Sequence, residues 1–407
     1  MSEGYYGGTV HFPKVSRAQR VTGVQREHLL ATYYGITSFD SNERYITVLE
    51  TEVRERLPTV DDVATLGLLD LKRGEFIRLS QTRAWNFQQG CMAHWLGEVP
   101  HSMIIYNDFR DEKFVSVVHD VSSNKEIIIP RPISGVSPDG RRALSINFAR
   151  LRITRPDYGY DGNGDNPRAD EPYPTEDGLF LIDLDTGGSE LIMPYSDMKG
   201  LIGLPPDVQP NSLLWLNHTI FNRDGTRIFF LVRINKRGGG WYTASITLNT
   251  DGSDLRPVFP SPWNWGGSHY DWLSRDRLMV TARYQETGYV PTLFTDGKDD
   301  YRILGNGLLD FDGHGTFSPN GKWMAFDSYP DSNFHKQNLL LMDMTTNAVL
   351  SLGRFYEPLR FYGPGIPEYW RCDLHPCWSP KGDMIAFNST HENTRQVYVV
   401  HLNGRES

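Results

Sequence analysis

The chain has 407 residues, 39% of them hydrophobic, with 41 basic and 50 acidic side chains and a formal net charge of −9. Such a length supports a large buried core, and the acidic balance excludes neutralisation of a nucleic-acid backbone as its main business. Cys91, Cys372 and Cys377 are too few for a disulfide scaffold and are expected as reduced thiols. No basic-then-apolar leader and no run of about eighteen apolar residues occurs, so a soluble, cytoplasmic protein without a membrane partner is expected.

In chain order, one pattern recurs: a tight turn followed by an alternating apolar strand. It appears as "ITSFDSNERYITVLE" from Ile36, "HWLGEVPHSMIIYND" from His94, "ISGVSPDGRRALSIN" from Ile133 and "HTIFNRDGTRIFFLV" from His218. It returns as "HYDWLSRDRLMVTAR" from His269, "HGTFSPNGKWMAFDS" from His314 and "HPCWSPKGDMIAFNS" from His375. Between these starts, stretches such as "GLFLIDLDTGGSELIM" and "NLLLMDMTTNAVLSLG" read as further short strands, and helical periodicity is nearly absent. Seven units of roughly four strands each predict an all-β chain, residues 1–407 forming one seven-bladed β-propeller. Too few residues follow His375 for four strands, so the missing outer strand of the last blade is expected from residues before Ile36, which also removes an exposed sheet edge.

Five of the seven repeats carry histidine four residues before the turn serine or at the matching position: His94, His218, His269, His314 and His375, out of twelve in the chain. That position begins the innermost strand, which lines the channel. Any one of these could simply satisfy a loop carbonyl, but a ring of imidazoles suits a divalent transition metal or proton transfer near neutral pH. Asp373 precedes His375 by two and shares its side of an extended chain, so carboxylate and imidazole together suit an ion such as Mn²⁺.

The longest insertions are expected at the same end of the channel. They bring Arg150, Arg152, Arg155, Lys236, Arg237, Arg360 and Arg371 with Tyr270, Trp370 and other aromatics. Cations beside aromatic platforms suit an acidic sugar, with Arg pairing a carboxylate and rings stacking on the sugar face. The turn "GYDGNGD" could instead hold Ca²⁺.

With "GGSHYDW", "DGHGTFSP" and "RCDLHP" in view, the chain resembles the oligogalacturonate lyases, intracellular seven-bladed propeller enzymes that use a divalent metal, typically Mn²⁺. The resemblance implies a lyase acting on an acidic, oligogalacturonate-like oligosaccharide. It implies His269 as the base that removes the C5 proton of a uronate, and His314 and His375, joined by Asp373, as metal ligands. The family has histidine where Asp373 stands, glutamine where Trp370 stands, and an essential arginine near Ala244. Arg237, Arg371 or the metal itself is expected to take that arginine's part in catalysis, with His94, His218, Arg150, Tyr270 and Trp370 contacting substrate. The competing expectation is a non-catalytic propeller similar to the TolB-like domains, which share repeats such as "VSPDGRRALSI" and bind a protein partner. Another reaction on a uronate-containing sugar at the same histidines is the third.

Overall fold

The computed structural model describes residues 12–97, 102–162, 168–209, 211–283 and 288–402. Among them the strands form seven four-stranded antiparallel sheets, the blades of a β-propeller. Each blade runs outward from an innermost strand, such as His94–Leu96 in blade two, Leu214–Phe221 in blade four and Gly315–Phe317 in blade six. In blade seven the order is Cys377–Trp378, Met384–Ser389, Gln396–His401 and then Gln19–Arg20, so the N-terminal segment supplies the outermost strand. Gln19 pairs with Val399 and Arg20 with Tyr398. The ring is thereby closed by hydrogen bonds across the two ends of the chain.

The repeated turn has a simple cause. In "SPDG", "SPNG" and "SPKG" the glycine N–H donates to the serine carbonyl, at 2.8 Å for Gly140, 2.8 Å for Gly321 and 2.9 Å for Gly382. These glycines have φ of 68°, 67° and 74°, the left-handed backbone that such a turn requires at its fourth position. Proline at the second position already has the needed φ. The strand that follows buries both faces, because neighbouring blades pack on each side. Met279, Leu293, Phe317 and Phe326 form one such layer between blades five and six. Trp323, Phe355, Ile385 and Tyr398 form the next, between blades six and seven. A large apolar side chain fully buried in this way contributes roughly 1.5–3 kcal/mol.

Two features differ from the sequence expectation. Blade one does not begin its innermost strand at Ile36: the strand is Glu27–Leu30, paired with the upper half of Tyr45–Thr51, and only Phe39 bridges to Ile46 below. The intervening residues leave the sheet, and Tyr33 and Tyr34 are pushed into the channel as a buried pair. The strand alternation of "ITSF" is real, but it serves only this lower half. Two short α-helices also occur among the described residues, α1 at Phe148–Thr154 and α2 at Tyr195–Ile202, both in insertions. No helix among the described residues is long and apolar enough to cross a membrane. All three cysteines are buried and free.

Candidate metal centre and channel mouth

Asp327, at the end of the second strand of blade six, organises the centre. One of its oxygens accepts the backbone N–H of His314 at 2.7 Å, and the His314 ring Nδ1 lies 2.9 Å from the same oxygen. Its other oxygen accepts the backbone N–H of His375 at 3.0 Å. One carboxylate thus fixes two blades. Gly313 permits the approach, because a Cβ there would stand 1.9 Å from the Asp327 carbonyl oxygen. His375 has the uncommon φ of 50°, a backbone strain of the kind that persists where surrounding contacts over-determine it.

With Nδ1 donating to Asp327, His314 turns the lone pair of Nε2 inward, and His375 Nε2 stands 3.2 Å from it. His314, Asp373 and His375 each offer a ligand atom, all within 4.8 Å of one another and all buried. Burial and the mutual proximity of the rings push His375 down to about 3, and His314 is also held well below its ordinary value. Both imidazoles are therefore neutral at physiological pH. Burial works to raise Asp373, but Arg371 outweighs it and holds the carboxylate ionised, with Nε–Oδ1 at 2.5 Å. Two neutral imidazoles and an ionised carboxylate fit a divalent transition ion. The two Nε2 atoms, 3.2 Å apart, are close enough together to hold one ion between them.

His269 stands on the mouth side of this group, its ring centroid 3.9 Å from that of His314. Its Nδ1 lies 3.1 Å from Asp312 Oδ1, so the N–H donates there and Nε2 is the acceptor, 3.3 Å from the Tyr329 hydroxyl. Burial works to raise Asp312, yet its pKa is lowered by His269 and by a hydrogen bond from Ser268. His269 and Tyr329 both line a pocket of about 400 Å³ at the channel mouth. Arg155, Arg233 and Arg283 all line that pocket, with Trp241, Trp263 and Trp265. Arg233 was not a sequence candidate. It projects from a strand paired with that of Ala244, directly opposite Thr243, and lies 5.4 Å from the Trp215 ring and 5.6 Å from the Trp241 ring. No carboxylate among the described residues pairs with it, and burial together with Arg155 pushes it down to about 10.

The remaining sequence candidates fall in different places. His218 borders the mouth pocket and also a second cavity of about 390 Å³ beyond the tyrosine pair. It stacks on Tyr33 at 5.0 Å, and Tyr270 leans on it at 5.6 Å. His94 lines only that second cavity, its Nδ1 on the Met92 carbonyl at 2.8 Å. The histidine ring is thus split, with three members clustered, His218 adjoining and His94 apart. Lys236 reaches the mouth, whereas Arg237 is exposed near Asp207. Trp370 and Arg360 line a small cleft with Arg395, away from His269. Arg371 is buried beneath Tyr329, 4.1 Å from its ring. In the turn "GYDGNGD", Asn163, Gly164 and Asp165 lie outside the described residues.

Arg150 faces away from the pocket. Its guanidinium is fully buried, bonded to the carbonyls of Leu214, Arg168 and Glu171 and lying 4.4 Å from the Tyr195 ring. It ties the blade-three insertion to the start of blade four. Arg150→Ala should leave these carbonyls, and Asp177 3.8 Å from its Nε, without their cation and cost about 3 kcal/mol of stability. A chemical-denaturation midpoint checks this, with KM of the folded protein little changed. A raised KM at unaltered stability would return Arg150 to the substrate contacts.

The chain matches no protein-family model and no curated protein. Among solved structures it is similar to an oligogalacturonate lyase from Vibrio parahaemolyticus, with a TM-score of 0.63 at 12% identity, covering 96% of this chain and 98% of that one. It is equally similar to an oligogalacturonate lyase in complex with manganese, with a TM-score of 0.63 at 15% identity over 97% and 98%. The β-propeller domain of the Trilobed protease from Pyrococcus furiosus follows at 0.50 and 10% identity, over 95% and 96%. At these identities the likeness establishes architecture: the chain has the seven-bladed propeller fold that the oligogalacturonate lyases share.

Proposed function

We propose that the protein is a metal-dependent β-eliminating lyase of acidic, uronate-containing oligosaccharides, the class to which the substrates named for its two lyase neighbours belong. The observation that carries this reading is one juxtaposition. A buried histidine oriented by Asp312 stands between a His–Asp–His group and an arginine-rich mouth. Removing a proton α to a carboxylate is slow unless the developing enediolate is stabilised by fixed charge. Arg233 supplies such charge, being buried, desolvated and, among the described residues, without a carboxylate partner, so a substrate carboxylate would complete its pairing. Arg155 and Arg283 extend the positive field along the pocket, and the tryptophans offer faces for sugar rings. His269 Nε2 takes the C5 proton, while Asp312 keeps the imidazole in the right tautomer and stabilises the imidazolium. A divalent cation held by His314, His375 and Asp373 would supply Lewis-acid stabilisation of the same carboxylate.

A screen of uronate oligomers for the ultraviolet absorbance of an unsaturated product tests the reading, alongside metal analysis of the purified protein. Absorbance that rises with protein, stops on chelation and returns with Mn²⁺ is expected. Silence across galacturonate, glucuronate and mannuronate oligomers would sink it. Arg233→Ala should lower kcat/KM by about 10²-fold or more, the size of effect seen when one charge-stabilising donor is lost, with metal content unchanged. Undiminished kcat/KM in that variant would exclude Arg233 as the carboxylate partner.

A further inference from the structure

Elimination needs a second proton transfer that the residues above do not provide. As the C4–O4 bond breaks, the departing oxygen must receive a proton, since a sugar alkoxide is a poor leaving group. We propose that Tyr329 donates this proton, and that the elimination is therefore syn, selecting uronates whose O4 and H5 lie on one face of the ring. This rests on the lyase reading.

Tyr329 follows the second strand of blade six by two residues and lines the mouth pocket together with His269. Its phenolic Oη lies 3.3 Å from His269 Nε2, the atom left free by the Nδ1 contact to Asp312. Among the described residues this is the only hydrogen-bond partner of that hydroxyl. Tyr34, by contrast, has its hydroxyl committed to the backbone of Tyr270, donating to the carbonyl at 2.9 Å and accepting from the N–H at 2.7 Å. The Tyr329 ring is held in place by the Arg371 guanidinium, 4.1 Å away on its face, and by the edge of His314 at 5.7 Å. A phenol so fixed beside the base is positioned for substrate without rearrangement.

The transfers balance. The C5–H bond breaks and its proton passes to His269 Nε2, while the electron pair forms the C4–C5 double bond. The C4–O4 bond breaks, its pair stays on O4, and O4 takes the proton of Tyr329 Oη. The imidazolium then returns its proton to the phenolate across the same 3.3 Å contact, restoring both residues. Nothing is oxidised or reduced, and the net result is one proton moved from C5 to O4.

The stereochemistry follows from that contact. Two groups within one hydrogen bond of each other can serve only one face of a sugar ring. In 4-linked glucuronate and mannuronate, H5 and O4 share a face. In galacturonate, O4 is axial and lies opposite H5, so a donor on the far side of the ring would be needed. The site therefore points to a uronate with equatorial O4 and away from the galacturonate expected from the resemblance.

The test uses the metal-loaded protein and Tyr329→Phe, which keeps the ring on Arg371 and removes only the hydroxyl. Substrates are 4-linked glucuronate and galacturonate disaccharides and a 4-deoxy-4-fluoro glucuronide, whose fluoride leaves with little need of a proton donor. The unaltered protein should prefer glucuronate. Tyr329→Phe should lose about 10²-fold in kcat/KM on that disaccharide and keep most of its rate on the fluoride. Equal losses on both leaving groups would overturn Tyr329 as the donor. Preference of the unaltered protein for galacturonate would overturn the syn geometry. Failure of the unaltered protein on every uronate would instead remove the lyase reading, and this inference with it.

Discussion

Replacing His269 by alanine is expected to lower turnover by about 10²-fold or more, the contribution of a positioned general base, while leaving metal content and fold intact. The expectation follows from how the ring is held. Nδ1 is committed to Asp312 at 3.1 Å, so Nε2 is the acceptor, and the residue lines the arginine-rich pocket. His218 is the rival, since it borders the same pocket. Its ring, however, is stacked flat on Tyr33, its Nε2 is engaged by Asn217 at 3.2 Å, and no carboxylate among the described residues orients it. His218→Ala should therefore disturb the channel packing more than the chemistry. Comparing the two variants for rate and metal separates the cases: full activity without His269 would overturn the assignment, and loss of metal on removing it would make it a ligand.

The blades were legible because their turns are chemically explicit. Proline supplies one φ and glycine the left-handed one, and the strand after each turn buries both faces, so "SPNGKWMAF" reads the same in sequence and in space. The shared repeat position brings His269, His314 and His375 together, while the same position in other blades leaves His218 beside them and His94 apart. What the repeat could not show is where the chain departs from it. In blade one, "ITSF" alternates as a strand should, yet the upper half of that strand comes from Glu27–Leu30. Hydrogen-bond partnership, not alternation, decides this, and it frees Tyr33 and Tyr34 to fill the channel.

Arg233 escaped notice for a related reason. "RIFFLVRIN" is buried almost throughout and carries no polar alternation to mark an inward face. Its significance is visible only once the strand lies beside that of Ala244. Asp312 and Asp327 lie within the quoted histidine stretches and Tyr329 just beyond them, but an aspartate beside a turn reads equally as a cap. Arg150 erred in the opposite direction: it sits in a mouth insertion, while its acceptors include the carbonyl of Leu214 in the next blade. Local sequence shows that an arginine is present, and tertiary contacts decide whether its charge is used up inside the protein.

Removing either imidazole of the His–Asp–His group should cut metal occupancy severely, because a site of so few protein ligands cannot spare one. His314 and His375 are fixed as a pair by the single Asp327 carboxylate, which holds both backbones and the Nδ1 of His314. Their Nε2 atoms face each other 3.2 Å apart, a spacing that either a hydrogen bond from His375 or a shared cation fills. Asp373 is less exclusively committed, because Arg371 already binds both of its oxygens, at 2.5 Å and 3.1 Å. Asp373→Asn should therefore weaken retention less than His314→Ala or His375→Ala, and it should also loosen Arg371 from beneath Tyr329. Metal analysis after dialysis, read beside activity, distinguishes these outcomes: unchanged metal in both histidine variants would refute the site, and loss from the asparagine variant alone would make the carboxylate, not the imidazoles, the principal ligand.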